Sequence, residues 1–169
     1  ESLNDTHYQG GKDAVALYLG QNPDSRFFSG QGLILGGSHS PNLNPRHGLV
    51  GDLSAILIQN IHPLVNCVRV PSKKIALMSD FEKKIEAIAN SAISKDVTSL
   101  SGVPSWMLVL IKRILEKTGK QSLEEIWPNL EVFFHGGVAF TPYREQYKEV
   151  IRSPKMHYVE TYNASEGYF

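Results

Sequence analysis

The sequence of residues 97–118, VTSLSGVPSWMLVLIKRILEKT, predicts a strand that is followed directly by a helix. Val97 to Ser101 has the composition of a short strand, and Gly102-Val103-Pro104 turns the chain directly after it. Proline is favoured in the first turn of a helix, where its missing N–H leaves no hydrogen bond unmade. Gly119 is placed to end that helix in the left-handed conformation. The apolar stripe of this predicted helix consists of Met107, Leu110, Ile111 and Ile114.

The same alternation continues toward the end of the chain. Glu131 to His135 reads as a second strand, Thr141-Pro142 opens a further helix, and His157 to Tyr162 reads as a third strand. Strands and helices that alternate through short links are typical of βαβ units, which build parallel sheets with right-handed crossovers. The sequence therefore predicts an α/β fold with a mostly parallel sheet flanked by helices. Upstream, Leu33-Ile34-Leu35 suits another buried strand.

Local signals also predict helix ends and core residues. The capping-box spacing occurs at Ser79–Glu82 and again at Ser122–Glu125. Further helices are expected over Lys12–Leu19 and Asp52–Asn60. The first capping box should begin a helix with one apolar face formed by Phe81, Ile85, Ile88 and Ala92. Core positions are expected for the thiol and for four aromatic rings, namely Cys67, Phe27, Phe28, Phe133 and Phe134.

Length and composition limit the class of protein. The chain has 169 residues, 41% of them hydrophobic, which is about one domain with a sizeable core. Its 17 basic and 17 acidic residues balance, so there is no electrostatic reason to expect a nucleic acid or an anionic membrane as partner. A single cysteine excludes an intramolecular disulfide and a cysteine-rich zinc site. Without a membrane-length apolar run or a signal peptide, a cytoplasmic protein is expected.

The two ends of the chain suggest an excised piece. The sequence begins without a methionine in a polar segment, and it stops at Gly167-Tyr168-Phe169 directly after a predicted strand. Domains more often end in polar residues. We therefore expect residues 1–169 to be a single α/β fragment of a larger protein. Its truncation would favour self-association through uncovered apolar surface.

Three loops follow the carboxyl ends of predicted strands, where parallel α/β sheets bind their ligands. They are Ser101–Ser105, His135–Ala139 and Tyr162–Gly167. Gly136-Gly137 permits a flat ligand to approach bare backbone, although a plain tight turn fits as well. In the last loop, Tyr162 could pack on a base, the Ser165 hydroxyl could donate to a phosphate, and Glu166 could hold Mg²⁺. An ordinary polar turn is the alternative.

Several other sites are disfavoured. The chain has neither the G-x-x-x-x-G-K-[ST] phosphate loop nor the G-x-G-x-x-G fingerprint. None of the six histidines shows metal-ligand spacing on a helix face, so each is expected in a loop or at a strand end. Ser38-His39-Ser40 lacks the G-x-S-x-G context of a hydrolase nucleophile.

Four segments resemble a known family when they are taken together and in order. They are Val97–Trp106, Ile126–Leu130, Phe134–Gly137 and Tyr162–Gly167. The sequence is similar to the Gretchen Hagen acyl-acid amido synthetases, the auxin-responsive branch of the adenylate-forming superfamily, and it looks like a bacterial member. The resemblance extends along essentially the whole chain. It implies part of the large N-terminal α/β domain of an adenylate-forming enzyme.

The resemblance also implies a reaction and its site. Family members use ATP to convert a carboxylic acid into an acyl adenylate, and an amine, usually an amino acid, then displaces AMP. By analogy, the backbone of Gly136, Gly137 and Val138 would line the adenine pocket, and Tyr162 would flank the base. Ser165 would contact the α-phosphate and Glu166 would help to hold Mg²⁺.

The acyl group and the missing motifs complete the comparison with the family. Pro104, Ser105 and Trp106 would face the acyl group. The middle of the tyrosine motif reads Asn163-Ala164, where plant members usually have Ala-Ser. The three anchor positions survive, so the departure puts the identity of the acid in doubt rather than the nucleotide role. A phosphate loop, a later Asp-containing motif and a C-terminal domain would lie outside residues 1–169, so the isolated chain is expected to be inactive.

Two other functions stay open on the sequence. A non-enzymatic α/β binding or scaffold domain would keep the fold and lack nucleotide binding. A different nucleotide enzyme, such as a phosphotransferase, would form ADP rather than AMP and pyrophosphate.

Overall fold

The computed structural model describes residues 3–37, 53–164 and 167–168. The described helices are α1 (Gln9–Gln21), α2 (Leu53–Gln59), α3 (Pro63–Cys67), α4 (Lys73–Ala76), α5 (Phe81–Ala92), α6 (Pro104–Thr118) and α7 (Arg144–Val150). A π-helical segment, Leu3–Tyr8, precedes α1, and short 3₁₀ turns occur at Phe27–Ser29, Leu123–Glu125 and Thr141–Tyr143.

Five strands form one parallel sheet. They are β1 (Gln31–Leu35), β2 (Arg69–Val70), β3 (Val97–Gly102), β4 (Val132–His135) and β5 (His157–Glu160), in the spatial order β2-β1-β3-β4-β5. Every neighbouring pair is parallel. The predicted α/β class with a parallel sheet is confirmed. A separate antiparallel pair joins β6 (Asn163–Ala164) to β7 (Gly167–Tyr168).

The two faces of the sheet carry different packing. On one face, α5, α6 and α7 cover the main core, to which Leu33, Leu100 and Phe133 contribute from neighbouring strands. On the other face, α1 packs over β4, where Tyr18 contacts Val132 and Phe134. Fully burying a large apolar side chain stabilises the fold by roughly 1.5–3 kcal/mol, so the main core contributes most of the hydrophobic stabilisation.

Most of the local signals for helix ends are confirmed. Pro104 occupies the start of α6, and Gly119 ends it with φ 67°. The apolar stripe of α6 is buried as predicted. Ser122 and Glu125 form the reciprocal capping box, each side chain bonding the backbone of the other residue. These features are decided within a few residues of chain, which explains why the sequence predicts them.

Four local predictions are wrong or need correction. Asp80, not Ser79, caps α5, and its side chain accepts from the Lys83 backbone N–H at 3.1 Å. Ile85, Ile88 and Ala92 are buried as expected, but Phe81, the first residue of α5, is 39% exposed. Cys67 is exposed at the end of α3. Phe28 is also exposed, while Phe27 packs against Phe134.

Within the described ranges, no helix has the length and apolar character needed to cross a membrane.

Candidate functional site

The carboxyl ends of four strands lie in one row across the sheet. Leu35, Gly102, His135 and Glu160 are register partners on β1, β3, β4 and β5. The residues that follow them therefore emerge at the same edge. Open parallel sheets bind ligands at this edge, because the loops there diverge and leave a crevice. The loops that the sequence singles out after β3, β4 and β5 begin side by side.

Gly136 and the first residue after β5 are in close contact. A Cβ atom at Gly136 would lie 2.1 Å from the Thr161 carbonyl oxygen, closer than any side chain permits. Thr161 is fastened to the end of β4 by two donors, since its N–H and its hydroxyl both donate to the His135 carbonyl, at 2.7 and 3.2 Å. The glycine turn and the loop that leads to Tyr162 thus form one continuous piece of the edge.

Gly137 requires glycine for a different reason. Its φ is 84°, in the left-handed region that residues with side chains disfavour. A Cβ atom at this position would lie 3.2 Å from Val103 Cγ2. The turn after β4 therefore bridges the loop after β3 and the loop after β5. Val138 and Tyr162 are 40% and 63% exposed, so both side chains are accessible at this edge. Their predicted contacts with a nucleotide stay predictions.

Two polar residues of the last loop carry the predicted phosphate and Mg²⁺ contacts. Ser165 and Glu166 lie outside the described residues. Among the described residues, no group of three or more His, Cys, Asp and Glu side chains could hold a metal ion. The predicted Mg²⁺ role therefore depends on Glu166 together with the phosphates of a bound nucleotide, a donor set that Mg²⁺ accepts.

The predicted acyl-binding residues lie at the start of α6, on the same edge. Pro104 is buried, and its carbonyl accepts from the Tyr147 hydroxyl at 2.8 Å. Burial raises the pKa of Tyr147, so its hydroxyl stays protonated and serves as a donor. Trp106 is 40% exposed and packs on Phe81 with ring centroids 5.9 Å apart. Ser105, which lies between Pro104 and Trp106 in the sequence, is half-buried.

A buried lysine supports the edge from the helix side. Lys84 of α5 is 1% exposed, and its Nζ donates to the carbonyls of Gly36 and Gly37, at 2.7 and 2.9 Å. The Gly37 N–H in turn donates to the Ser54 hydroxyl at 2.7 Å. Two helices thus hold the turn after β1. Sequence reasoning missed Lys84, although its place four residues before Ile88, on the apolar stripe of α5, was a signal.

His135 is the second buried polar group at this edge. It is 3% exposed and stacks on Phe140, with ring centroids 4.3 Å apart. Burial lowers the pKa of His135; the carboxylate of Glu160 opposes that shift, and the positive charge of Arg144 adds to it. The neutral imidazole is therefore favoured. Because Phe140 closes the loop that begins at Gly136, this stack fixes how the glycine turn returns to the helix layer.

Comparison with known proteins identifies the family. No individual curated protein matches the chain significantly. Residues 2–156 match the model described as the GH3 family N-terminal domain, where GH3 denotes the Gretchen Hagen 3 acyl-acid amido synthetases. The match covers far more than half of the chain and includes the glycine turn after β4. The protein therefore belongs to the GH3 family of acyl-acid amido synthetases, through the N-terminal domain of that family.

Proposed function

We propose that this domain belongs to an enzyme that uses ATP to activate a carboxylic acid and then transfers the acyl group to an amine. The acid and ATP would give an acyl adenylate and pyrophosphate, and an amino acid or another amine would then displace AMP. One observation carries the proposal beyond family membership. The bare backbone of Gly136 lies in contact with Thr161, directly before the exposed Tyr162, and Gly137 lies against Val103 in the loop after β3.

The roles of the residues follow from their chemistry. The Gly136–Val138 backbone would line the adenine, and the exposed ring of Tyr162 would cover one face of the base. Ser165 would donate to the α-phosphate, and Glu166 would bind Mg²⁺. When bound, Mg²⁺ would offset negative charge on the phosphate oxygens. The protein's own contribution is mainly to orient the two reactants, because the substrate carboxylate is itself the nucleophile.

The acid would lie beside the start of α6. Trp106 and Phe81 expose apolar surface at the same edge as the glycine turn, which suits the non-reacting part of a carboxylic acid. Pro104 and Ser105 would contact the acyl group next to this pair. The buried Lys84 would hold the turn after β1 in place while the substrates bind.

The decisive test is ATP–pyrophosphate exchange by the full-length protein across a panel of carboxylic acids. We expect exchange with at least one acid and strong loss in Glu166→Ala. Unchanged exchange in Glu166→Ala would remove the metal role. The isolated 169-residue chain should show no exchange, and measurable exchange by it would refute the view that it needs a further part. Formation of ADP instead of AMP would indicate a phosphotransferase.

A matched pair of glycine variants tests the nucleotide site. Gly137 and Gly119 both have positive φ, 84° and 67°, but only Gly137 lies at the proposed site. Alanine at either position should cost about 1–2 kcal/mol of stability from the left-handed backbone alone. Only Gly137→Ala should weaken the binding of ATP. Equal ATP affinity in the two variants would place the nucleotide elsewhere.

A further inference from the structure

The edge strand β2 carries a buried arginine. Arg69 is 4% exposed and pairs in register with Gly32 of β1, which pairs in turn with Ser99 of β3. Val70, the next residue, belongs to the main core under α5 and α6. Because successive side chains of a strand point to opposite faces, Arg69 projects from the other face of the sheet.

The guanidinium of Arg69 is only partly hydrogen-bonded. Its Nη1 donates to the Pro71 carbonyl at 2.8 Å. Its Nε and Nη2 are buried, and neither has a hydrogen-bond partner in the structure as described. Burial lowers the pKa of Arg69, but a guanidinium remains protonated in proteins. A buried cation with unused donors is unfavourable unless an anion completes it.

The two unused donors are arranged for a particular kind of anion. Nε–H and Nη2–H point in the same direction along one edge of the planar guanidinium. This edge matches two coplanar oxygens, so it binds carboxylate or phosphate groups through two parallel hydrogen bonds. A carboxylate or phosphate meets each of the two donors with its own oxygen, and its negative charge compensates the guanidinium, which a neutral water or hydroxyl does not.

The surroundings of Arg69 differ from the rest of that face. Buried faces of parallel sheets are usually rich in Val, Ile and Leu. Two strands away from β1, on β4, this face is apolar and carries Val132 and Phe134. In the register row of Arg69 it carries Gly32 and Ser99 instead, while the next row carries Ile34 and Ser101. Gly32 adds no side chain on the neighbouring strand, and Ser99 carries a hydroxyl that can donate on the next. The bond to Pro71, two residues further on, directs the Arg69 side chain toward the ligand-binding edge.

We propose that the Nε–Nη2 edge of Arg69 binds the oxyanion of a small molecule, a carboxylate or a phosphate group that presents two coplanar oxygens. The site goes beyond the proposed nucleotide pocket, because β2 and β4 are separated by β1 and β3 in the sheet. The test of this site needs neither turnover nor ATP. The anion site can therefore be refuted while the proposed function stands, and the proposed function can be refuted while the anion site stands.

The experiment measures thermal unfolding of the chain in phosphate, pyrophosphate or acetate, at constant ionic strength against chloride. Constant ionic strength keeps the screening of surface charges equal. An anion that binds only the folded state raises the melting temperature in a saturating way. Arg69→Met should abolish that rise. Arg113→Met is the matched control, since it removes the same charge from an exposed guanidinium that pairs with Glu86.

A second signature separates a ligand site from a structural role. In chloride alone, Arg69→Met should unfold at the same denaturant concentration as the wild type or a higher one, because it removes an uncompensated buried charge. In the wild type, the Arg69 Nε–H resonance should shift on addition of the anion that stabilises the protein, a measurement that needs no variant.

The outcomes divide clearly. A response to phosphate and pyrophosphate identifies a phosphate ligand, a response to acetate alone identifies a carboxylate, and either one supports the site. The proposal is overturned if no probe stabilises the wild type or moves the Arg69 resonance. It is also overturned if Arg69→Met keeps the full response, or if that variant is markedly less stable or unfolded in chloride.

Discussion

Replacing Gly136 by alanine perturbs the contact that joins β4 to the loop after β5. The new Cβ would lie 2.1 Å from the Thr161 carbonyl oxygen. A carbon–oxygen contact normally needs about 3.3 Å, so the two backbones would have to separate by roughly 1.2 Å. The blocking atom belongs to the backbone, so no side chain can simply rotate away.

The cost follows from what opposes that movement. The Thr161 N–H donates to His135 at 2.7 Å, and a movement of this size would lengthen that bond beyond hydrogen-bonding distance. Losing one such bond costs about 1 kcal/mol, and forcing an extra carbon into a packed site costs about 1–3 kcal/mol. We therefore expect Gly136→Ala to lose about 3 kcal/mol, which is roughly 6–12 °C in melting temperature for a domain of this size.

The assay is urea unfolding, with Gly11→Ala as the matched control. Gly11 lies within α1 and has open space around its Cβ position, so alanine there should stabilise the helix by about 0.5–1 kcal/mol. The two variants should therefore change stability in opposite directions. Gly136→Ala should also weaken ATP binding, because the turn would move relative to Tyr162.

A Gly136→Ala protein as stable as the wild type would refute this reasoning. That result would mean that the ends of β4 and β5 do not approach each other as closely as described.

Three further variants probe the supports of this edge and of the opposite end of the sheet. Lys84→Met removes two charge-assisted hydrogen bonds and should lower the free energy of unfolding by about 3 kcal/mol; a loss below about 1 kcal/mol in urea would contradict the described bonds. Glu131→Gln replaces the carboxylate that accepts from the Tyr18 hydroxyl at 2.9 Å and from two groups of the Ser25-Arg26 turn. We expect the free energy of unfolding to fall by about 2 kcal/mol with an unchanged m-value. Full stability in this variant would show that other contacts hold α1 on the sheet. Burial lowers the pKa of His135 below the ordinary value of 6.5, so the neutral ring contributes stability that is present above about pH 6.5 and is lost as the pH falls through the lowered pKa. His135→Phe should keep the stacked ring and flatten the acid side of the stability–pH curve; an identical curve in that variant would assign the pH dependence to another group.

Local rules account for the parts of the fold that the sequence predicts well. Pro104 at the start of α6, Gly119 at its end and the Ser122–Glu125 capping box each depend on contacts within a few residues. The βαβ alternation after Val97 depends on hydrophobic periodicity, which is also local. These signals were sufficient to predict a parallel sheet and to point to the loops at its carboxyl edge.

Long-range contacts explain what the sequence did not predict. The strand β2 has two residues, too few for a periodic pattern, and it exists because it pairs with β1. Cys67 and Phe28 look like core residues by type, but both are exposed in the structure. Exposure of this kind depends on which surfaces meet, and neighbouring residues carry no information about that.

The candidate site divides in the same way. The sequence alone predicted the residue types at the edge, namely two glycines after one strand and a tyrosine motif after the next strand. It also pointed to the family that these residues resemble. Only the tertiary structure shows that Gly136 touches Thr161, that Lys84 is buried under the turn after β1, and that Arg69 lies inside with two donors unused. The physical reason is that backbone conformation follows from neighbours along the chain, whereas the burial of a charge or the closeness of two turns follows from segments brought together across tens of residues.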